Sequence, residues 1–344
     1  MSEVSLQFIP IMIVGFAASL GATPLSRQIA MRLGVVDKPN QRKIHMDHKP
    51  LMGGLAIYLA ILISLLLFSP PQHILQLIAI LAGTTLLAIV GGLDDRYNLG
   101  IRTRLIAMFI ATLLMLVAGI QIKLFNLPLL DSALTVFWVL AIINACNFLD
   151  NMDGLTAGLS TIAAGFFLLI SLSQGQELVS LLAAAVFGSA LGFLTYNFNP
   201  ASTFMGDMGA LVLGYVLAIL AIKLNFQNTP VTISWFIPVL VLALPIFDIN
   251  LVVWTRIFEG RTPGEAGKDH TSHRIMSLGL SQRQTLLVLY AACIFFGSLA
   301  LGASLSPPDT AILIELSGLV LLMIAFIFMI WVRQNFQKRP QSVT

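Results

Sequence analysis

Two short stretches raise a chemical question. "NFLDNMDGL", 147–155, puts two aspartates and two asparagines at the end of an apolar run, and "GGLDDR", 91–96, ends another run with an adjacent acidic pair. A carboxylate within a bilayer costs roughly 2.5 to 3.5 kcal/mol on insertion scales, so acids in such places need something that offsets the cost. Asp94, Asp95, Asp150, Asp153 and Asp207 together concentrate negative charge, which implies a bound cation or a shared proton. Oxygen donors without thiolates favour a hard ion over zinc: Mg2+, with Mn2+ as the alternative. Magnesium takes one or two carboxylates and keeps waters or phosphate oxygens, so a phosphate-bearing substrate is expected.

Spacing divides the roles. Residues three apart are neighbours on a helix, so Asn147, Asp150 and Asp153 can face one pocket. Adjacent Asp94 and Asp95 would diverge by about 100° on a helix, which suggests different jobs. Glycines on both sides of Asp207 in "MGDMGAL" allow close backbone approach to a ligand, and the helix that starts there can face anionic oxygens. His270 and His273 are again three apart, and with Lys268 and Arg274 they could clamp a diphosphate; the competing reading is a solvated loop. His45 and His48 lie in "DKPNQRKIHMDHKPLMGG", where a charged surface explains them equally well, and His73 reads as incidental. Asp248 precedes Arg256 by two turns, roughly 12 Å of helix, and could reach the same site.

The elements that must position these residues are membrane helices. Of 344 residues, 57% are apolar and only 10% charged, against about 25% charged in soluble domains, and the mean hydropathy is +0.90. Eleven apolar runs are long enough to cross about 30 Å of hydrocarbon: 8–24, 51–68, 74–93, 105–122, 133–149, 155–172, 178–196, 208–224, 233–258, 286–305 and 311–332. An all-α polytopic membrane protein is expected, with the N-terminus outside and the C-terminus cytoplasmic. That orientation places seventeen of the nineteen lysines and arginines on the cytoplasmic side and leaves only Lys123 and Lys223 outside. The net charge of +3 is therefore a topology signal, and no nucleic-acid partner is expected. Every acidic cluster falls on the same face.

The chain reads as one domain, 1–344, whose cytoplasmic loops 27–50, 94–104, 147–154, 197–207 and 259–284 form the active site. Cys146 and Cys293 both sit in apolar runs and read as packing residues. The acidic N-terminus without a small-residue cleavage site argues against a removable signal peptide.

Taken in order, "DKPN", "GGLDDR", "NACNFLDNMDGL", "FMGDMGAL" and the segment from His270 to His273 resemble the motifs of the polyprenyl-phosphate N-acetylhexosamine-1-phosphate transferases, glycosyltransferase family 4. The likeness runs from about residue 37 to 284. It is closer to the undecaprenyl-phosphate N-acetylglucosaminyl-1-phosphate transferase branch than to the phospho-N-acetylmuramoyl-pentapeptide branch, which carries three consecutive histidines. The resemblance implies transfer of N-acetylglucosamine-1-phosphate, or a related N-acetylhexosamine-1-phosphate, from a UDP-sugar to undecaprenyl phosphate. UMP is released, in the first membrane step of lipid-linked cell-envelope glycan synthesis, at the cytoplasmic face of the bacterial inner membrane.

Residue by residue, the resemblance implies Asp207, with Asp150, at the metal, and Asp94 as the base toward the lipid phosphate with Asp95 in the same catalytic pair. Asn147, Asp150, Asp153 and Asn197 are expected near the nucleotide and the histidine segment, His270 and His273, toward the UDP-sugar. Arg274 and Lys43, basic residues of the cytoplasmic loops, are expected to bind substrate as well. Two positions depart from the pattern. Ala210 stands where the family commonly has serine, and Ser272 where the related branch commonly has a further histidine. The muramoyl-pentapeptide reaction is the alternative within the superfamily. A proton-coupled secondary transporter is the alternative outside it, although transporters place ionisable groups near the midplane, often in two related halves. The sugar, the downstream polymer, and direct attack against a covalent intermediate stay open, and a homodimer is compatible with the chain.

Overall fold

The computed structural model describes residues 6–37, 49–226, 230–262, 264, 265 and 267–337. The expected all-α polytopic fold holds. In chain order the helices are α1 (Ile9–Leu33), α2 (Gly53–Phe68), α3 (Ile74–Tyr97), α4 (Ile101–Val117), α5 (Pro128–Leu149), α6 (Leu155–Ser173) and α7 (Glu177–Asn197). They continue as α8 (Gly206–Lys223), α9 (Val231–Ser234), α10 (Phe236–Val241), α11 (Ala243–Phe258), α12 (Thr271–Ser277), α13 (Gln282–Ser304) and α14 (Pro308–Val332). A two-residue antiparallel ribbon pairs β1 (Val36–Asp37) with β2 (Lys49–Pro50). Among the described residues, eight helices are long and apolar enough to cross a membrane.

Burial ranks the helices. In its most apolar window α8 is 83% buried, α7 78% and α6 72%, whereas the window of the last helix is 17% buried. So α8 is the central post and α14 lies at the periphery. The first turn of α8 carries Asp207, and small residues let its neighbours approach it, as is common where helices pack within lipid. Gly54 of α2 lies against Gly209, and a Cβ at Gly91 of α3 would fall 2.5 Å from Met208 Cα. These contacts bring the ends of three helices together around one aspartate.

Three expected spans differ from the structure. The run 8–24 continues as α1 to Leu33, so the expected loop 27–50 is helical at its start. The run 233–258 is three helices, with breaks at Trp235 and Leu242. Each break follows the residue four before a proline: Ser234 precedes Pro238 by four and Val241 precedes Pro245 by four, where the proline ring clashes with the carbonyl. The run 105–122 is displaced: α4 starts at Ile101 and ends at Val117, followed by Gly119 at φ 75°. Its first turn carries Arg102 and Arg104, whose long stems let a charged end of a membrane helix stay helical. The expected loop 94–104 is therefore helical at both ends, and only 98–100 join α3 to α4.

Candidate active site

The ends of α3, α5 and α7, the start of α8 and the turn 150–153 wall a cavity of about 1340 Å3. Asp94, Asp95, Asp150, Asp153 and Asp207 all line it. At its floor Asp95 accepts the backbone amides of Asp207 at 2.7 Å and Met208 at 3.3 Å, N–H groups that a helix start leaves unpaired. Gly206, at φ 69°, makes the turn into α8, and a Cβ there would strike the Asp95 carboxylate.

With its backbone held in this way, the Asp207 side chain is shared. Oδ1 accepts from Asn147 Nδ2 at 2.6 Å and Oδ2 from Arg104 Nη1 at 3.1 Å. Arg104 Nη1 also lies 3.1 Å from Asp94 Oδ2, while Asp94 Oδ1 is buried with no hydrogen-bond partner. Asp150 follows the last residue of α5. Burial, and then the charge of Asp207, push its carboxyl up to about 7.

Arg104 pairs with two of these acids, Asp94 and Asp207, and the negative charge that Asp95 and Asp150 add is compatible with a divalent cation. The donors are carboxylate oxygens, Asp94 offers an unpartnered one, and both cysteines are buried away from the cavity. Among the described residues no group of three or more His, Cys, Asp or Glu side chains is placed to hold a metal ion by itself. This suits Mg2+, which completes its shell with water and substrate phosphates.

The opposite wall is held by amides. Asp153 accepts Ala201 N at 2.9 Å and Asn199 Nδ2 at 3.2 Å, with Lys49 Nζ 3.9 Å away. Asn197 Oδ1 accepts Gly154 N at 3.1 Å, and its Nδ2 donates to Thr203 O at 3.0 Å. Both residues line the cavity, yet their polar groups staple the 150–154 turn to the 198–205 loop. Lys49 stands 5.2 Å over the Phe204 ring.

The expected histidine segment is α12 with His270 as its N-cap. His273 reaches the cavity; burial, then His270 and Lys268, hold its imidazole down at about 4, so it is neutral at physiological pH. His270 does not line the cavity and sits behind His273, with its Nδ1 2.8 Å from Asp248 Oδ2. Arg274 is wholly interior. It donates to Asp269 O and Met329 O at 2.9 Å and to Thr255 Oγ1 at 2.7 Å, so its guanidinium ties α12 to α14 and does not face a substrate. Lys43 lies outside the described residues.

The two departures from the family pattern acquire places. Ser272, 1% exposed, donates from Oγ to Asn151 Oδ1 at 2.7 Å and so joins α12 to the turn that carries Asp150. Ala210 is fully buried in the apolar core. Sequence reasoning did not single out Arg104, Lys49, Asn151 or Asn199 as site residues. The first two read as topology charges, and Asn151 only as part of "NACNFLDNMDGL".

Residues 77–225 match the profile of glycosyl transferase family 4. The chain is 35% identical over 299 residues to the "Probable undecaprenyl-phosphate N-acetylglucosaminyl 1-phosphate transferase" of Bacillus subtilis, covering 84% of this chain and 83% of the relative. It is 30% identical over 331 residues to the decaprenyl-phosphate N-acetylglucosaminephosphotransferase of Mycobacterium leprae, covering 85% and 82%. With the undecaprenyl-phosphate alpha-N-acetylglucosaminyl 1-phosphate transferase of Yersinia pestis it shares 28% identity over 295 residues, 80% of this chain and 79% of the relative.

Proposed function

The chain belongs to glycosyl transferase family 4, and from that premise we propose that it transfers N-acetylglucosamine-1-phosphate from UDP-N-acetylglucosamine to undecaprenyl phosphate, releasing UMP. The relatives' names support the reaction. The observation that carries it is the cluster of Asp94, Asp95, Asp150 and Asp207 around Arg104 at the mouth of a bundle of membrane helices. A soluble nucleotide-sugar and a lipid headgroup can meet there without either leaving its phase. Seventeen of the nineteen basic residues fall on this side of the expected topology, which supports a site on the cytoplasmic face of the inner membrane.

Both reactants are anions. Mg2+ at Asp207 and Asp150 would screen the diphosphate and stabilise the departing UMP. Asn147 and Arg104 orient the Asp207 carboxylate, and Asp95 fixes its backbone. Asp94, which lines the cavity, takes the proton of the lipid phosphate. An oxygen of that phosphate then attacks the phosphorus bonded to the sugar, and the bond to the UMP oxygen breaks. Neutral His273 and cationic Lys268 face the donor side of the same cavity.

The test is product identity. Detergent-purified protein with Mg2+, undecaprenyl phosphate and sugar-labelled UDP-N-acetylglucosamine should move label into the organic phase as a lipid-linked sugar diphosphate. Label that stays aqueous with this donor and with every other UDP-N-acetylhexosamine would reject the transferase reading.

A further inference from the structure

Asp248 has no part in the chemistry above, yet it is an aspartate with 0% exposure on a helix of the bundle. It does not line the cavity. Its carboxylate is divided between two donors at the start of α12: Oδ1 accepts Thr271 N at 2.6 Å, and Oδ2 lies 2.8 Å from His270 Nδ1. A fully buried carboxylate persists as an anion only where it is paired and hydrogen-bonded, and these two contacts supply both conditions. Because a carboxylate only accepts, its bond puts a proton on Nδ1 of His270 and fixes the plane of the ring.

His270 passes that constraint on. Its ring stands edge-on to His273, with centroids 6.2 Å apart, and edge-on to Phe148 at 6.3 Å. His273 is the member of the pair that lines the cavity. The contacts therefore run from a carboxylate on α11, through a ring that never meets the cavity, to one that does.

We propose that Asp248 is a positioning residue: by holding His270 Nδ1–H and the Thr271 amide together, it orients His270 and sets how His273 is presented to the diphosphate of the nucleotide-sugar. This inference rests on the transferase reading. Its test is a double-variant cycle on the full chain in detergent, with UDP-N-acetylglucosamine varied, for Asp248→Asn, His270→Gln and the two combined. Each single variant should raise KM by about ten-fold or more, the usual loss for a charged hydrogen bond, with a smaller change in kcat. The double variant should be no worse than His270→Gln alone, because one residue acts through the other. Multiplying losses, or an unchanged KM in Asp248→Asn, would overturn the proposal.

A second measurement needs no variant at 248. Nitrogen-15 histidine spectra of the unaltered protein at pH 8, with the His270 signal identified by its disappearance in His270→Gln, should show a protonated Nδ1. An unprotonated Nδ1 would also overturn the proposal. If the unaltered protein releases no UMP with any UDP-sugar, the transferase reading fails, whereas the spectra still report whether Asp248 and His270 are paired.

Discussion

Asp95 accepts the backbone amide of Asp207 at 2.7 Å, so the acid at the end of α3 sets the place of the acid at the start of α8 through main chain. Asp94, its neighbour in sequence, keeps a buried oxygen without a partner. The adjacent pair thus divides into a cap and a candidate base, and their variants should differ.

Removing a capping side chain typically costs about 0.5 to 2 kcal/mol, more when amides are left buried. Asp95→Ala should therefore lower both the melting temperature in detergent and turnover, while Asp95→Asn, which still accepts, should keep most of the stability. Asp94→Asn should lose turnover by about two to four orders of magnitude, the usual range for a general base, while still melting as a folded protein. Near-normal turnover of Asp94→Asn across pH would remove Asp94 from the role of base.

Arg104 lies within 3.1 Å of both Asp94 and Asp207. Its side chain is 27% exposed and that of Asp94 only 4%, so losing the cation leaves a largely buried carboxylate uncompensated. Arg104→Ala should cost at least about 1 kcal/mol in EDTA after allowance for partial exposure. Mg2+ should then raise the melting temperature of Arg104→Ala more than that of the unaltered protein. Equal metal-induced shifts in the two proteins would show that Arg104 does not balance the charge a cation would balance.

Asp150 gives a pH prediction. Burial first, then Asp207, raise its carboxyl from 3.8 to about 7. A group whose folded pKa is raised contributes stability that is full below the unfolded value and is lost as pH climbs through the folded one. Protein in EDTA should accordingly lose stability between about pH 4 and 7, and Asp150→Asn should flatten that slope. Mg2+ should restore stability above pH 7, because it favours the ionised carboxylate. A slope that Asp150→Asn leaves unaltered would contradict this.

Ser272 is buried and bonded to Asn151, so a larger side chain has no room there. Ser272→His should destabilise the protein by about 1 to 3 kcal/mol through overpacking. Ser272→Ala should cost less, about 1 kcal/mol, and raise KM for the nucleotide-sugar modestly. A Ser272→His protein that melts normally and turns over faster would mean that the segment accepts an imidazole at this position.

Asp94, Asp150, Asp207 and Asn147 were legible in the sequence because each interrupts an apolar run, and polarity at a membrane helix end needs a reason. The breaks at Trp235 and Leu242 were also written there, in Pro238 and Pro245, but an average over hydropathy does not register a missing N–H. Arg104 and Lys49 were hidden because a cation at a helix end is already explained by topology. Arg274 was misjudged for a different reason. An arginine in a polar loop reads as exposed, and the acceptors that bury it, Met329 O and Thr255 Oγ1, come from other helices. Asp153 and Asn197 were recognised as polar, but only the folded chain shows that they hold loops together.

The most direct measurement is UMP release by the purified protein and by Asp207→Ala, with and without Mg2+ and undecaprenyl phosphate. Release from the unaltered protein should require both lipid and metal and fall to background in Asp207→Ala, while that variant still elutes as a folded species. Release that persists in Asp207→Ala, or that continues without Mg2+, would contradict a metal-dependent transferase centred on Asp207.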